Sequence, residues 1–232
     1  MFSPVFQCFA RRLSSSSSAP DPKIYEFRQY SIRPDSLTKF IQLSKEQFHL
    51  RLSHSKLVGY FTVELGDLSK VLHIWEYDSF EHRRRVREEL SKDVTWITQY
   101  VKPAFPLITG QTNAVLRRIP GYGGGLDPKD DSKSVYLLQS RILKADSEPQ
   151  VLTRLQKPPD INPSCMLAMW RGVFGSTPSL YSLHKFPTFD VIGPSSLDDI
   201  INKTSETLLF LNSHSLSVSN LGLLPTPWST LQ

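Results

Sequence analysis

The sequence predicts an α+β fold built twice, as tandem βαββαβ units of the ferredoxin-like plan, with the second unit degenerate. Two observations carry this. Ile24-Tyr25-Glu26-Phe27 followed by Arg33-Pro34-Asp35-Ser36 is echoed at one constant offset by Val135-Tyr136-Leu137-Leu138 followed by Lys144-Ala145-Asp146-Ser147. With a slightly shorter offset, Gly66, Val71, Tyr77 and Phe80 fall against Gly175, Leu180, Phe186 and Phe189, and such self-similarity marks a unit used more than once. The order of apolar periods is the second observation: strand, helix, strand, strand, helix, strand.

Ile24 to Ile32 is rich in aromatic and branched residues and is closed by Pro34, which cannot donate to a ladder. Asp35 or Ser36 can cap a following helix whose Leu37, Phe40, Ile41, Phe48 and Leu52 fall largely on one face. Leu57 to Leu65 and Val71 to Tyr77 alternate and form a hairpin turning at Gly66 to Ser69. Ser79 caps one long helix with the seam Val86, Leu90, Val94, Ile97 and Val101, stopped by Pro103 and Pro106, and Asn113 to Ile119 is the closing strand.

In the second unit Pro149, Pro158, Pro159 and Pro163 break up the first helix, whereas a second helix capped near Ser195 or Ser196 carries Leu197, Ile200, Ile201, Thr204, Leu208 and Leu211 on one side. Gly121-Tyr122-Gly123-Gly124-Gly125 and the acidic cluster from Asp127 to Asp131 read as a flexible linker, because no Lys-Ser/Thr and no helix follow as a phosphate loop requires. The division is a leader at 1–22, a first unit at 23–120, a linker at 121–133 and a second unit at 134–232.

The leader carries Phe2, Val5, Phe6, Phe9 and Leu13 at helical spacing, Arg11 and Arg12 as its charges, a run of serines and no acid before Asp21. Amphipathic, Arg-bearing, Ser-rich and acid-free composition is that of a mitochondrial transit peptide. The expected location is therefore mitochondrial, in the matrix or against the inner membrane, with the cytosol as the alternative. No segment has the length and apolarity of a membrane-spanning helix. The thiols are Cys8 in the leader and Cys165, so a chain without its leader would have no internal disulfide.

The net charge of +5 invites a nucleic-acid reading. Arg83, Arg84, Arg85 and Arg87 form a candidate basic surface, but Arg84 with Glu88, Arg85 with Glu89 and Glu81 with Arg85 are spaced to pair along a helix. That pattern is a solvated face, and without a recognition motif no nucleic-acid partner is expected, while contact with anionic lipid stays open. His49 and His54 do not share a helix face, and no residue pattern gives a metal site, a cofactor site or a nucleophile with its base.

One constellation could carry chemistry. Alternation puts Glu26, Arg28 and Tyr30 on one face of the first strand, Tyr60, Thr62 and Glu64 on one face of the second, and His73, Trp75 and Tyr77 on one face of the third. With Phe27, Phe61, Val63, Leu72 and Ile74 turned to the helices, this set would line a barrel lumen as a ligand pocket. The competing expectation is structural: Glu64, His73 and Arg28 satisfy one another between packed sheets. In the repeat register Glu26 becomes Leu137, Arg28 Gln139, Glu64 Val173, His73 Ser182 and Trp75 His184, so any chemistry would sit in the first unit alone.

Tyr25-Glu26-Phe27-Arg28-Gln29-Tyr30, His49-Leu50-Arg51, Leu57-Val58-Gly59-Tyr60, His73-Ile74-Trp75-Glu76-Tyr77 and Phe80-Glu81-His82-Arg83, in that order, resemble the NipSnap family, most of all its third vertebrate type. The resemblance implies a dimeric α+β barrel, formed within the chain or between chains. It also implies a non-enzymatic mitochondrial protein that works through protein partners in quality control or vesicle traffic. The alternatives are a dimeric-barrel monooxygenase or haem protein using His73, Trp75 and His82, and a peripheral membrane adaptor using the basic helix.

Overall fold

In the first half, strand β1 (Ile24–Ile32) is followed by α1 (Leu37–Gln47), α2 (His49–Leu52), the hairpin β2 (Lys56–Leu65) and β3 (Lys70–Tyr77), and α3 (Phe80–Lys92). A further helical run of α4 (Val94–Trp96), a π-helical stretch (Ile97–Val101) and α5 (Lys102–Ala104) leads to β4 (Ile108–Arg118). The second half holds β5 (Val135–Leu143), α6 (Glu148–Arg154), β6 (Met166–Phe174), β7 (Ser179–Phe186), α7 (Glu206–His214) and β8 (Ser215–Pro225). This computed structural model describes residues 23–126, 134–157, 165–192 and 205–232. The expected leader, most of the linker and the helix cap at Ser195 or Ser196 lie outside the described residues.

The eight strands close into one antiparallel barrel in the order β1-β3-β2-β8-β5-β7-β6-β4. Arg28 lies opposite His73 on β3 and Asn113 on β4; Gln139 lies opposite Ser182 on β7 and Asn220 on β8. The offsets that align the two halves in sequence therefore also align their pairing registers. Both hairpins turn on a glycine of positive φ, Gly66 at 102° and Gly175 at 108°, a conformation that side chains with a Cβ resist. The seams between the halves run β2 to β8, with Val63 opposite Leu223, and β4 to β6, with Leu116 opposite Gly172.

The lumen is a packed core. Tyr25, Phe27, Phe61, Val63, Leu72 and Ile74 from the first half meet Tyr136, Leu138, Ala168, Trp170, Leu183 and Leu223 from the second. Phe27 stands edge-on to Trp170 at 5.0 Å between ring centroids, and Phe61 meets Tyr136 at 5.1 Å. This reverses the expected orientation: the apolar residues point inward, and the set Glu26, Arg28, Tyr30, Tyr60, His73, Trp75 and Tyr77 lies on the outer, helix-covered face. In this eight-stranded barrel side chains fill the interior, and a charge there would have neither water nor a partner. Outside, the helices supply both partners and a second core of Phe40, Phe48, Val86, Leu90 and Tyr100.

Three local expectations also change. Asp35 engages Arg33 and the Ser36 hydroxyl rather than capping α1, whose Ser36 makes no side-chain cap. The long helix after Ser79 is two: α3 ends at Asp93, whose carboxylate accepts from the Trp96 amide and starts a new turn. Val94, expected in the seam, is consequently 71 % exposed, and β4 begins at Ile108 rather than Asn113. The glycine segment is pinned over its described part: the Gly124 and Gly125 amides donate to the Met166 and Leu167 carbonyls at 3.0 and 3.1 Å, and Tyr122 is buried.

After β8 the chain straps across the part of β2 that β8 does not pair. The Thr226 amide and hydroxyl donate to the Tyr60 carbonyl, the Tyr60 amide donates to Ser229 Oγ, and Thr230 Oγ1 donates to the Leu57 carbonyl. Leu231 joins the lumen core, and Trp228 packs on Phe48 and Tyr60.

Candidate functional site

The outer face of β1 and β3 and the helices above it enclose a cavity of about 330 Å³. Phe48, Trp75, Trp96 and Tyr100 form much of its wall, and Arg28, Arg51, Arg87 and His73, with Tyr30, Ser91 and Gln111, supply its polar lining. The π-helical stretch contributes Ile97, Tyr100 and Val101; such wide turns shift side chains out of the ordinary helical rows.

Beside the cavity, Glu26 is fully buried and held by a fork: Arg83 Nη2 and Nε donate to its two oxygens at 2.7 and 3.1 Å, and Asn113 Nδ2 donates at 2.9 Å. Burial pushes the Glu26 carboxyl up, but the Arg83 hydrogen bonds, the Arg28 charge and the Asn113 bond outweigh it and hold it below its ordinary value of 4.5. Arg83 is thus a partner of the sheet, and the expected basic surface keeps Arg84, Arg85 and Arg87. Arg84 bridges Glu81 and Glu88 at 2.7 and 3.1 Å, so its charge is balanced as the spacing predicted for Glu88, with Glu81 taken by Arg84 rather than Arg85.

Arg51 is 7 % exposed. Its guanidinium lies 3.9 Å from the Trp75 ring centroid, and its nitrogens donate to the Ser55 hydroxyl at 2.6 Å and the Tyr77 hydroxyl at 3.0 Å. Burial lowers its pKa despite the nearby Tyr77. His73 is 3 % exposed and lies between the rings of Tyr30 and Tyr60, stacked on Tyr60. Trp75 Nε1 donates to His73 Nδ1 at 2.6 Å, and His73 Nε2 has no partner among the described residues. Burial, with the Arg28 and Arg51 charges adding to it, holds the imidazole neutral.

Of the residues predicted as a set, Arg28, Tyr30, His73 and Trp75 meet at the cavity, and Glu26 and Tyr77 stand beside it. Glu64 does not join them: it is exposed, and the expected Glu64–His73–Arg28 network does not form. The strand bends after Val63, where the register to β8 shifts. His82 lies off the site, accepting from the Asp78 amide. Sequence patterning does not mark Arg51, Phe48, Trp96 and Tyr100 as site residues. Phe40, Ser44, Phe48 and Arg51 recur on one helical face, so the signal was present, but a charged residue at the end of an apolar stripe reads as its boundary. In the second half the equivalent face has Leu137 in a small apolar cluster and Arg141 bonded to Gln139 and Asn212, and burial lowers the His184 pKa to about 4. Among the described residues no cluster of His, Cys, Asp and Glu could hold a metal ion.

The profile of the NIPSNAP family matches residues 25–120. Over that segment the chain is similar to the NIPSNAP family. Protein NipSnap homolog 3A of Pongo abelii is 40% identical over 111 residues, covering 46% of this chain and 45% of the relative. Protein NipSnap homolog 3B of Mus musculus is 38% identical over 121 residues, covering 52% and 48%. The chain spans about half the length of the curated relatives it matches. A solved candidate monooxygenase from Lactobacillus acidophilus superposes with a TM-score of 0.57 over 88% of this chain and 94% of its own, at 13% identity. That likeness is one of fold, and it extends over the whole barrel, beyond residues 25–120.

Proposed function

We propose that this chain is a non-enzymatic, mitochondrial NIPSNAP protein that acts through contacts with other proteins in quality control or vesicle traffic, its barrel serving as a rigid platform. On this reading the two halves are a duplicated βαββαβ unit, and the pairing that would otherwise need two chains is made within one. The observation that carries it is the filled lumen: Phe27, Phe61, Trp170 and Tyr136 occupy the space in which a lumen-based monooxygenase or haem protein would need to hold its substrate. The basic helix supports a membrane adaptor less well, since Arg83 is turned to Glu26 and Arg84 is paired with acids.

A promiscuous biotin ligase inserted within residues 127–133 of the full chain avoids both the leader and the strap that packs on β2. In intact cells it should label a reproducible set of mitochondrial proteins. Labelling confined to cytosolic proteins would overturn the location, and oxygen-dependent turnover of an aromatic substrate by the purified protein would overturn the non-enzymatic reading.

A further inference from the structure

The sheet–helix cavity of the NIPSNAP half has an unbalanced lining. Among the described residues three guanidiniums border it, those of Arg28, Arg51 and Arg87, and no carboxylate does. The neighbouring acid, Glu26, is committed to Arg83 and Asn113 and lies 3.7 Å from Arg28. Arg51 donates to the neutral hydroxyls of Ser55 and Tyr77. A buried guanidinium ordinarily finds an anion, because its charge is costly without one.

His73 adds a donor, not an acceptor. An indole N–H can only donate, so the Trp75 bond requires His73 Nδ1 to be bare, and the neutral ring then carries its proton on Nε2. That Nε2–H is buried without a partner among the described residues, and so is Arg28 Nε. Both lining atoms left unanswered are donors. Water would give as well as take hydrogen bonds and would leave the charge standing; a carboxylate only accepts and neutralises. Around these donors the wall is aromatic, with Phe48, Trp96, Tyr100 and Phe105, and the volume of about 330 Å³ is at the small end of the range of ligand sites.

We propose that this cavity binds a small organic carboxylate with a flat apolar body, its carboxylate set against the Arg51 guanidinium and His73 Nε2–H and its body against Phe48, Trp96 and Tyr100. The charge of Arg87 at the exposed rim draws the anion in. This site is independent of the protein contacts proposed above and would stand if they failed.

The test is titration of the full chain with benzoate, cinnamate and 2-naphthoate and with the matching neutral amides, followed by calorimetry and by the fluorescence of Trp75 and Trp96. At least one carboxylate should bind saturably, about tenfold or more tighter than its amide, since charge-assisted bidentate bonds are the strong ones. Arg51→Met should weaken it by a similar factor. Should that variant fail to fold by circular dichroism, Arg87→Gln, altered at an exposed position, should weaken binding about two- to fivefold at low salt, an effect lost at high salt. Amide binding as tight as carboxylate, saturation by none of the three acids, or unchanged affinity in every folded variant would each overturn the proposal.

Discussion

At the scale of single residues, the fate of two glutamates separates what is held from what is merely near. Glu26 is buried under a forked Arg83 and is read by Asn113, so Glu26→Gln leaves a partly buried guanidinium without its counter-charge and should cost about 3 kcal/mol. Glu64 is exposed, and Glu64→Gln should stay within about 0.5 kcal/mol of the parent. Because the folded carboxyl of Glu26 is held below its ordinary value, its contribution is present above about pH 4.5 and is lost as pH falls through the lowered value. Chemical denaturation at pH 7 and at pH 3.5 checks both points: the gap between parent and Glu26→Gln should be wider at the first than at the second. A gap that is constant with pH would mean that Glu26 acts through shape, not charge.

Among elements, the strands were the most legible and the helical run the least. The sequence expectation for Ile24 to Ile32 coincides with β1, and Gly66 turns its hairpin, because alternation and a glycine-bearing turn are local signals. Alternation states that two faces differ but not which one the helices cover. That choice depends on the partner half filling the lumen, a contact no local pattern encodes, and it is why alternation alone does not place the polar set on the helix-covered side. The break at Asp93 was hidden for a related reason: the spacing of Val86, Leu90, Val94, Ile97 and Val101 suits one helix, while the Asp93 carboxylate competes for the Trp96 amide and ends it. The glycine segment likewise reads as free chain, yet a Cβ on Gly123, with φ of 95°, would stand 2.3 Å from the Leu167 carbonyl oxygen. Gly121 also has a positive φ, of 80°, but has nothing within 4 Å of its Cβ position. Gly121→Ala should therefore cost about 1 kcal/mol, for the backbone conformation alone, and Gly123→Ala distinctly more, since β6 must move away. Thermal melts of the two variants rank them, and equal melting temperatures would refute the pinning of this segment to β6.

On the scale of the whole molecule, neither half owns the lumen core. The lumen faces of both halves are buried against each other, with Tyr25, Phe27 and Phe61 on one side and Trp170, Tyr181 and Tyr136 on the other. The packing makes each half depend on the other for its lumen face. Residues 134–232 expressed alone should aggregate or stay poorly ordered, and residues 23–126 alone should self-associate through the uncovered sheet, because an exposed apolar face of this extent does not remain in water. Light scattering on the two fragments tests this, and a well-folded monomer of either would refute it.

Barrel closure inside a single chain also releases the protein from symmetry. When two identical chains close a barrel, every substitution appears twice and must suit both copies of the seam. Here Val63 opposite Leu223 and Leu116 opposite Gly172 are separate positions, free to vary one at a time. The half that carries Arg28 and His73 can keep a polar cavity while the other, with Gln139 and Ser182 at the same register, needs only to hold the wall upright. Such a molecule can specialise one side at the other's expense, as a homodimer of the same shape cannot.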